Sequence, residues 1–383
     1  MVPFEFEPRT RVVFGRGTIQ RAGQLAKALH FERTLLVSDP GVVKAGHVAT
    51  LTKALEGDGI TVLPYHAFGE NPDSAMIEAG SRFAEPLRVD SIIALGGGSS
   101  LDCAKGVNFI LTNGGSISYY RGYGKTRTPL LPMIGIPTTA GTGSEAQSYA
   151  VISDATTHTK MACGDPSAAM RIAILDPELT LTAPPHVTAM AGFDAIAHAV
   201  ETAVTMRRTP LSDTFSHRAW HLLSEAFDRV LLHPADIEAR SAMQIGSHLA
   251  GMAIEQSMLG AAHACANPLT ARYNLSHGLA LAILLPHVVR WNAHVASERY
   301  AALIGSPRRR ARDEDAPETL ARRLEDLARA GGLSVTLSDS GVEESAIPEL
   351  AAQAAGQWTG TFNPRPLDAE GAAEIYRAAL QRR

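Results

Sequence analysis

The chain has 383 residues, 45% hydrophobic and 19% charged, which is enough apolar material for a sizeable core and excludes a disordered chain. Lys and Arg number 35 against 39 Asp and Glu, and the net charge of −4 argues against a nucleic-acid partner and against a polybasic membrane anchor. Three cysteines, Cys103, Cys163 and Cys265, are too few and too scattered for a disulfide framework, which points to a reducing, cytoplasmic setting.

The N-terminal run MVPFEFEPRTRVVFG has no basic segment followed by an apolar one, so no signal peptide is visible. Strands are predicted at Arg11–Phe14, Thr34–Val37, Ile60–Leu63, Ser91–Leu95 and Met133–Ile136. Between them, helical periods run over Ile19–Leu29, Val42–Glu56, Asp73–Glu85 and Leu101–Leu111. This alternation predicts a parallel sheet of βαβ units, with strand tips at Asp39, Asn71, Gly96–Gly98 and Thr138. In such sheets ligands sit beyond the carboxyl ends of the strands.

Past Asp176 the texture changes. The turn-rich DPELTLTAPP segment marks a boundary, giving an α/β domain over 1–180 and an all-helical domain over 181–383. Helices are predicted at Thr188–Val204, Asp213–Leu232, Ala239–Leu259, His277–Ala293, Ala316–Ala330 and Asp368–Leu380. The longest apolar stretch, Leu279–Val289, is too short to span a bilayer and holds Pro286 and His287. The run Arg308–Asp315 mixes both charge signs and reads as a solvated loop or helix start.

Two glycine-rich turns follow strands. Gly96-Gly-Gly-Ser-Ser100 leads into a helix, whose unpaired N–H groups and positive dipole end suit a phosphate. It is not the GxGxxG fingerprint, and a ligand-free tight turn would look the same. Pro137–Glu145 (PTTAGTGSE) supplies hydroxyls and pliant backbone at a neighbouring tip. Asp39, in VSDP, is placed to accept from a ribose diol and to repel a 2′-phosphate, or simply to turn the chain before Pro40.

The chain has fourteen histidines, ten of them between His186 and His294. Asp194 and His198, at i and i+4 of a helical stretch, share a face and form either an intrahelical pair or half of a metal site. His263 and His277 lie farther on, 14 residues apart. Three imidazoles and one carboxylate suit Fe(II), Zn(II), Co(II) or Ni(II), but spacing alone does not join ligands so distant in sequence.

The blocks GGGSSLDCAKG, IPTTAGTGSE, ILDPELT, GFDAIAHAVE and HACANPLTARYNLSHGLALAILLPHVVRWN, in this order, resemble the iron-containing (group III) alcohol dehydrogenase family. The resemblance runs from about Phe14 to Asn292 and returns weakly at Gly360–Arg365. It implies a nucleotide-binding α/β domain, a helical domain and an active site in the cleft between them. It implies one metal, Fe(II) or another divalent ion such as Zn(II), on Asp194, His198, His263 and His277. It implies NAD(P) contacts from Asp39, Asn71, Gly97, Gly98, Ser99, Asp102, Thr138, Thr139 and Lys160, and the charge of Asp39 itself favours NAD over NADP. It also implies a homodimer formed through an N-terminal strand, here Pro3–Phe14.

One departure concerns Asn267. Members such as lactaldehyde reductase carry a histidine there, four residues past the ligand at 263, as a proton relay. Asn267 can hydrogen-bond near the nicotinamide but cannot exchange a proton, and its plainer role would be to cap a helix or turn. The expected reaction is hydride transfer between NAD(H) and a small alcohol, aldehyde or ketone beside a Lewis-acidic metal. The alternatives are a maleylacetate reductase-like or other specialised carbonyl reductase of the same family, a metal- and NAD-using lyase of the dehydroquinate synthase type, and an inactive nucleotide sensor; the full ligand set disfavours the maleylacetate and sensor readings, and the lyase family's ligand set differs.

Overall fold

The computed structural model describes residues 3–305 and 316–381. The charged run at 308–315 lies outside the described residues. The chain divides into two compact units, Glu7–Ala183 and the remainder from Pro184, which also takes in Phe6, its ring 6.0 Å from that of Phe215.

The first unit holds nine strands: β1 (Arg11–Phe14), β2 (Arg33–Val37), β3 (Thr61–Tyr65), β4 (Ser91–Gly96), β5 (Gly122–Tyr123), β6 (Met133–Pro137), β7 (Tyr149–Ser153), β8 (Lys160–Gly164) and β9 (Ile172–Leu175). Its helices are α1 (Ala22–Ala28), α2 (Pro40–Lys44), α3 (His47–Gly57), α4 (Ser74–Ala84) and α5 (Gly98–Asn113). Six strands form one parallel sheet in the order β1-β9-β6-β4-β2-β3. Strands β4, β6 and β9 are buried at every position, as a parallel sheet covered on both faces requires. The strand period of two divides the core. Leu35 and Val37 join Ile77 and Val107 on one face, and Leu36 joins Leu51 and Leu55 on the other.

From β2 the chain steps outward to β3, then returns to lay β4 on the other side of β2. The winding therefore reverses between β2 and β4, and a crevice opens beyond their carboxyl ends.

Several expectations need correction. The single helix over Val42–Glu56 is two, α2 and α3, because Gly46 turns left-handed (φ 85°) and ends the first. Helix α5 starts three residues earlier than predicted, directly on the glycines. Asn71 is not a strand tip: β3 ends at Tyr65, and Asn71 sits in the following turn with φ 49°. A second, mixed sheet, β5-β8-β7, was not foreseen; β7 and β8 pair antiparallel about a loop in which Asp154 accepts from the N–H groups of Thr156 and Thr157.

The second unit has no strand among its described residues, and its α-helices are α6 (Pro185–Thr202), α7 (Pro210–Leu232), α8 (Ile237–Ser257), α9 (Ala261–Tyr273), α10 (His277–Trp291), α11 (Ala293–Ile304), α12 (Ala316–Ala330), α13 (Ile347–Ala355) and α14 (Ala369–Leu380). Thr209 and Ser212 form a capping box with Pro210 at the first helical position, and Asp236 and Asp368 cap α8 and α14. Helix α10 is buried along most of its length and stops at Trp291, two residues before the predicted end. No single helix among the described residues is long and apolar enough to cross a membrane. All three cysteines are buried free thiols.

Candidate functional site

The candidate nucleotide residues gather where the sheet reverses. Asp39 follows β2 and caps α2, accepting from the Val42 N–H at 3.1 Å. Its other oxygen takes the Ser100 hydroxyl at 3.0 Å, so the carboxylate is tied to the glycine turn beyond β4. That turn opens α5 with Gly97 as N-cap and no side-chain cap, leaving first-turn N–H groups for an outside acceptor. Asn71 donates its backbone N–H to the Ser99 hydroxyl at 3.2 Å.

The second glycine loop packs onto the first. A Cβ on Gly98 would lie 2.5 Å from the Thr142 methyl, so only glycine permits this approach. Thr138 donates its N–H to the Gly96 carbonyl at 3.0 Å, and a Cβ on Gly97 would lie 3.3 Å from the Thr139 hydroxyl. Asp102 accepts from the Ser144 hydroxyl at 2.7 Å; burial raises its carboxyl against the pull of Lys105, Ser144 and Lys160. Lys160 opens β8.

The metal candidates lie in the helical unit. Asp194, His198 and Glu201 fall at i, i+4 and i+7 of α6, one face of an Ala-rich helix. Each is at least nine-tenths buried, as is His263. His263 stands in the first turn of α9 and His277 begins α10. Gly278 lets that start close onto α6, because a Cβ there would collide with the Met190 carbonyl.

The ligand atoms of Asp194, His263 and His277 all lie within 4.8 Å of one another. His198 falls outside that tight set but adjoins it. Its Nε2 is 3.2 Å from Asp194 Oδ1, and its ring stacks on His263 at 4.9 Å. The His263 ring meets His277 edge-on at 5.2 Å. Burial works against an ionised Asp194, yet the facing imidazoles outweigh it and hold the carboxyl well below its usual range. Burial likewise opposes a charged His263, but Glu201 and Asp194 prevail and push it up to about 9.

Two buried atoms aimed into this cluster, Asp194 Oδ1 and His263 Nε2, make no well-aligned hydrogen bond: they lie 3.6 Å from each other, and His198 Nε2 stands 3.2 Å from Oδ1 at poor geometry. Buried polar atoms are seldom left so, and these are a hard oxygen and an imidazole nitrogen, donors that a divalent first-row ion accepts. The residues present therefore fit a metal.

Three contributors were not singled out in the sequence. Glu201 meets His263 Nδ1 at 2.5 Å; its signal was the i+3 spacing from His198 within the same block. Lys105 is fully buried and donates to the Ser144, Gln147 and Tyr149 carbonyls. Ser100 ties Asp39 to the glycine turn. Asn267 lies inside α9 rather than capping anything; one turn beyond His263, it donates through Nδ2 to Gln357 Oε1 at 3.1 Å.

A family model described as iron-containing alcohol dehydrogenase matches residues 8–177, and one for the C-terminal part of the Fe-containing alcohol dehydrogenase family matches 188–380. Alcohol dehydrogenase 4 of Schizosaccharomyces pombe is 33% identical, over 96% of this chain and 87% of that protein. The NAD-dependent methanol dehydrogenase of Bacillus methanolicus is 31% identical, over 96% of this chain and 97% of its own. A crystal structure of a 1,3-propanediol oxidoreductase superposes with a TM-score of 0.94 at 31% identity, covering 99% of this chain and all of that one.

Proposed function

The chain belongs to the iron-containing alcohol dehydrogenase family, an NAD(H)-dependent alcohol and aldehyde oxidoreductase, and from that premise we propose which residues carry the reaction. Asp194, His198, His263 and His277 hold one divalent metal, with iron the favoured ion. The unit over 7–183 binds NAD(H) in the crevice beyond β2 and β4. The observation that carries the metal assignment is the convergence of Asp194, His263 and His277, with the buried Asp194 Oδ1 and His263 Nε2 making no well-aligned hydrogen bond.

A metal held there would supply Lewis acidity toward the substrate oxygen, and a bound nicotinamide would supply the hydride chemistry. The protein's part is position and charge. Asp194 contributes a fixed negative charge, and burial keeps water from competing for the imidazoles. The uncapped α5 N-terminus would offer its first-turn N–H groups to a pyrophosphate, and Asp39, fixed by Ser100, would accept from the ribose hydroxyls. A 2′-phosphate there would meet a like charge, so NAD is preferred over NADP. Asn267, held by Gln357, orients the carboxamide or a water without relaying a proton.

Small alcohols, aldehydes and diols are the substrates that the relatives' names suggest. Val12 and Phe14, exposed on edge strand β1, support a homodimer through that strand, and free buried thiols accord with a cytoplasmic setting. The test combines metal analysis of the purified protein with turnover of a short-chain alcohol and aldehyde panel. Replacing His277 with Ala should remove both metal and activity. Metal-free wild-type protein that resists reconstitution yet turns over at full rate would end the metal assignment.

A further inference from the structure

Glu201 has no place in the ligand set, yet it is as buried as the ligands, at 3% exposure. Its two oxygens take two different N–H groups. Oε2 lies 2.5 Å from His263 Nδ1, and Oε1 accepts from the Ala262 backbone N–H at 2.6 Å. Helix α9 has Gly260 at its N-cap and no capping side chain of its own. Its first N–H groups go instead to Glu201 and to Asn363 Oδ1, which accepts from Ala261 at 3.2 Å. One carboxylate from α6 thus closes the start of α9 and grips the ligand in that same turn.

We propose that Glu201 is a positioning residue for the metal. It keeps the proton of His263 on Nδ1 and so leaves the Nε2 lone pair directed at Asp194 and His277. This rests on the metal reading above and adds a residue that the reading does not contain. A histidine ligand has two tautomers, and the hydrogen bond on its remote nitrogen selects between them. With Nδ1–H donated to Glu201, Nε2 carries no proton and can bind a cation. With the other tautomer Nε2 would carry a hydrogen into the cluster, and no ligand would be offered. The carboxylate also makes the imidazole a stronger donor, and with Asp194 it brings the negative charge of the pocket to two, matching a divalent ion.

Glutamine at 201 cannot do this. It has one accepting oxygen where two donors wait. Turned one way, its amide N–H groups face His263 Nδ1 and force the proton onto Nε2. Turned the other way, they face the Ala262 N–H, donor against donor. Metal affinity should therefore fall in E201Q even though every ligand remains.

The test is chelator competition with zinc or cobalt(II) on the full chain, for wild type, E201Q, H263A and N363A. Loss of an outer-shell partner typically lowers affinity by about 10- to 100-fold, and that is the expectation for E201Q, with a changed d–d spectrum of the cobalt form. N363A removes the other acceptor at the α9 start but leaves Glu201 on His263, so its affinity should stay close to wild type. Wild-type affinity in E201Q, beside lost affinity in H263A, would overturn the role of Glu201 and leave the metal reading standing. Equal weakening in N363A would make the effect a matter of helix ends and would also overturn it. A wild type that binds neither ion would bring down the metal reading and this proposal together. Should E201Q fail to fold, zinc-loaded wild type labelled with 15N at histidine decides the question. A strongly deshielded Nδ1–H on His263 supports the proposal, and coordination through Nδ1 refutes it.

Discussion

Lys105 offers a measurable test of how the second glycine loop is held. Its side chain is fully buried. Nζ lies 2.6 Å from the Ser144 carbonyl, 3.0 Å from the Ser144 hydroxyl, and 2.8 Å from the carbonyls of Gln147 and Tyr149. Four acceptors share three protons, so the ammonium is saturated. Its charge also bears on Asp102, whose carboxyl takes the Ser144 hydroxyl. Methionine at 105 keeps the length and removes the charge: the Gln147 carbonyl loses its donor, the Ser144 carbonyl keeps only the Gln147 N–H at 3.2 Å, and Asp102 loses the stronger of its two lysine charges, with Lys160 remaining. Each orphaned acceptor costs about 1–3 kcal/mol, and breaking a buried charge arrangement costs about 3–5 kcal/mol. Water entry and loop relaxation offset part of the sum, so about 3–5 kcal/mol is the expected loss, or roughly 6–20 °C in Tm for a unit of this size. The assay has an internal control. Trp220, Trp291 and Trp358 all belong to the helical unit, so tryptophan fluorescence follows that unit, while amide exchange in β6 and β7 follows the other. K105M should lower protection in β6 and β7, leave the tryptophan transition in place, and raise KM for NAD. A variant within about 1 kcal/mol of wild type by exchange would refute the reasoning.

Three more outcomes are expected. Asp39→Gly should narrow the preference for NADH over NADPH by about tenfold or more in kcat/KM, since it removes a like charge from the site of the 2′-phosphate; a wild type that favours NADPH would contradict the assignment. Asn267→His should add an ionisation near the imidazole value of about 6.5 to the pH profile of kcat with metal content unchanged; an unaltered profile, or lost metal, would show that position 267 is no relay site. Hydrogen bonds from Arg290, then Arg322, outweigh burial and hold Glu318 down at about 2. A depressed carboxyl stabilises fully above its unfolded value and loses this as pH falls toward its folded one. The Tm gap between wild type and E318Q should therefore be present at pH 6 and shrink steadily from pH 5 toward pH 2; because Glu318 is half-exposed the gap is modest, and one that widens on acidification would reverse the sign of the argument.

What could be read in the sequence follows from how local each signal is. Strands β1, β2, β4 and β6 each hold a run of three or four consecutive apolar or glycine residues (VVF, LLV, IIAL, MIGI), and the predicted spans match them to within a residue. Strands β7 and β8 escaped because their residues, YAVIS and KMACG, are half-exposed and weakly patterned. Helix α9 escaped because it starts without a cap of its own, carries Pro268 in its interior and is buried on most sides in its first half, so no amphipathic stripe marks it. Helix α11 follows α10 directly at Asn292, where the chain bends by 112°, and two abutting helices look like one that ends. At the metal cluster, the i, i+4 pair on α6 was legible because one helix holds both residues. Its meeting with His263 and His277 was not, because that depends on how α6, α9 and α10 pack. Glu201 stands on the same helix face as Asp194, but only its contact with His263 shows what it does.

The pairing of β1 with β9 sets a timetable for the chain on the ribosome. Arg11–Phe14 is made first, but its partner is Ile172–Leu175, the last strand of the sheet. Synthesis at about 5–20 residues per second puts roughly 10–30 s between them. β1 has no partner for all of that interval, and β6, once made, waits roughly another 2–8 s for β9, so both stand open to other chains. Val12 and Phe14 remain exposed even after the sheet is complete. Slowing translation between residues 14 and 175 would lengthen this window, and a chaperone that binds extended apolar segments would find a target here.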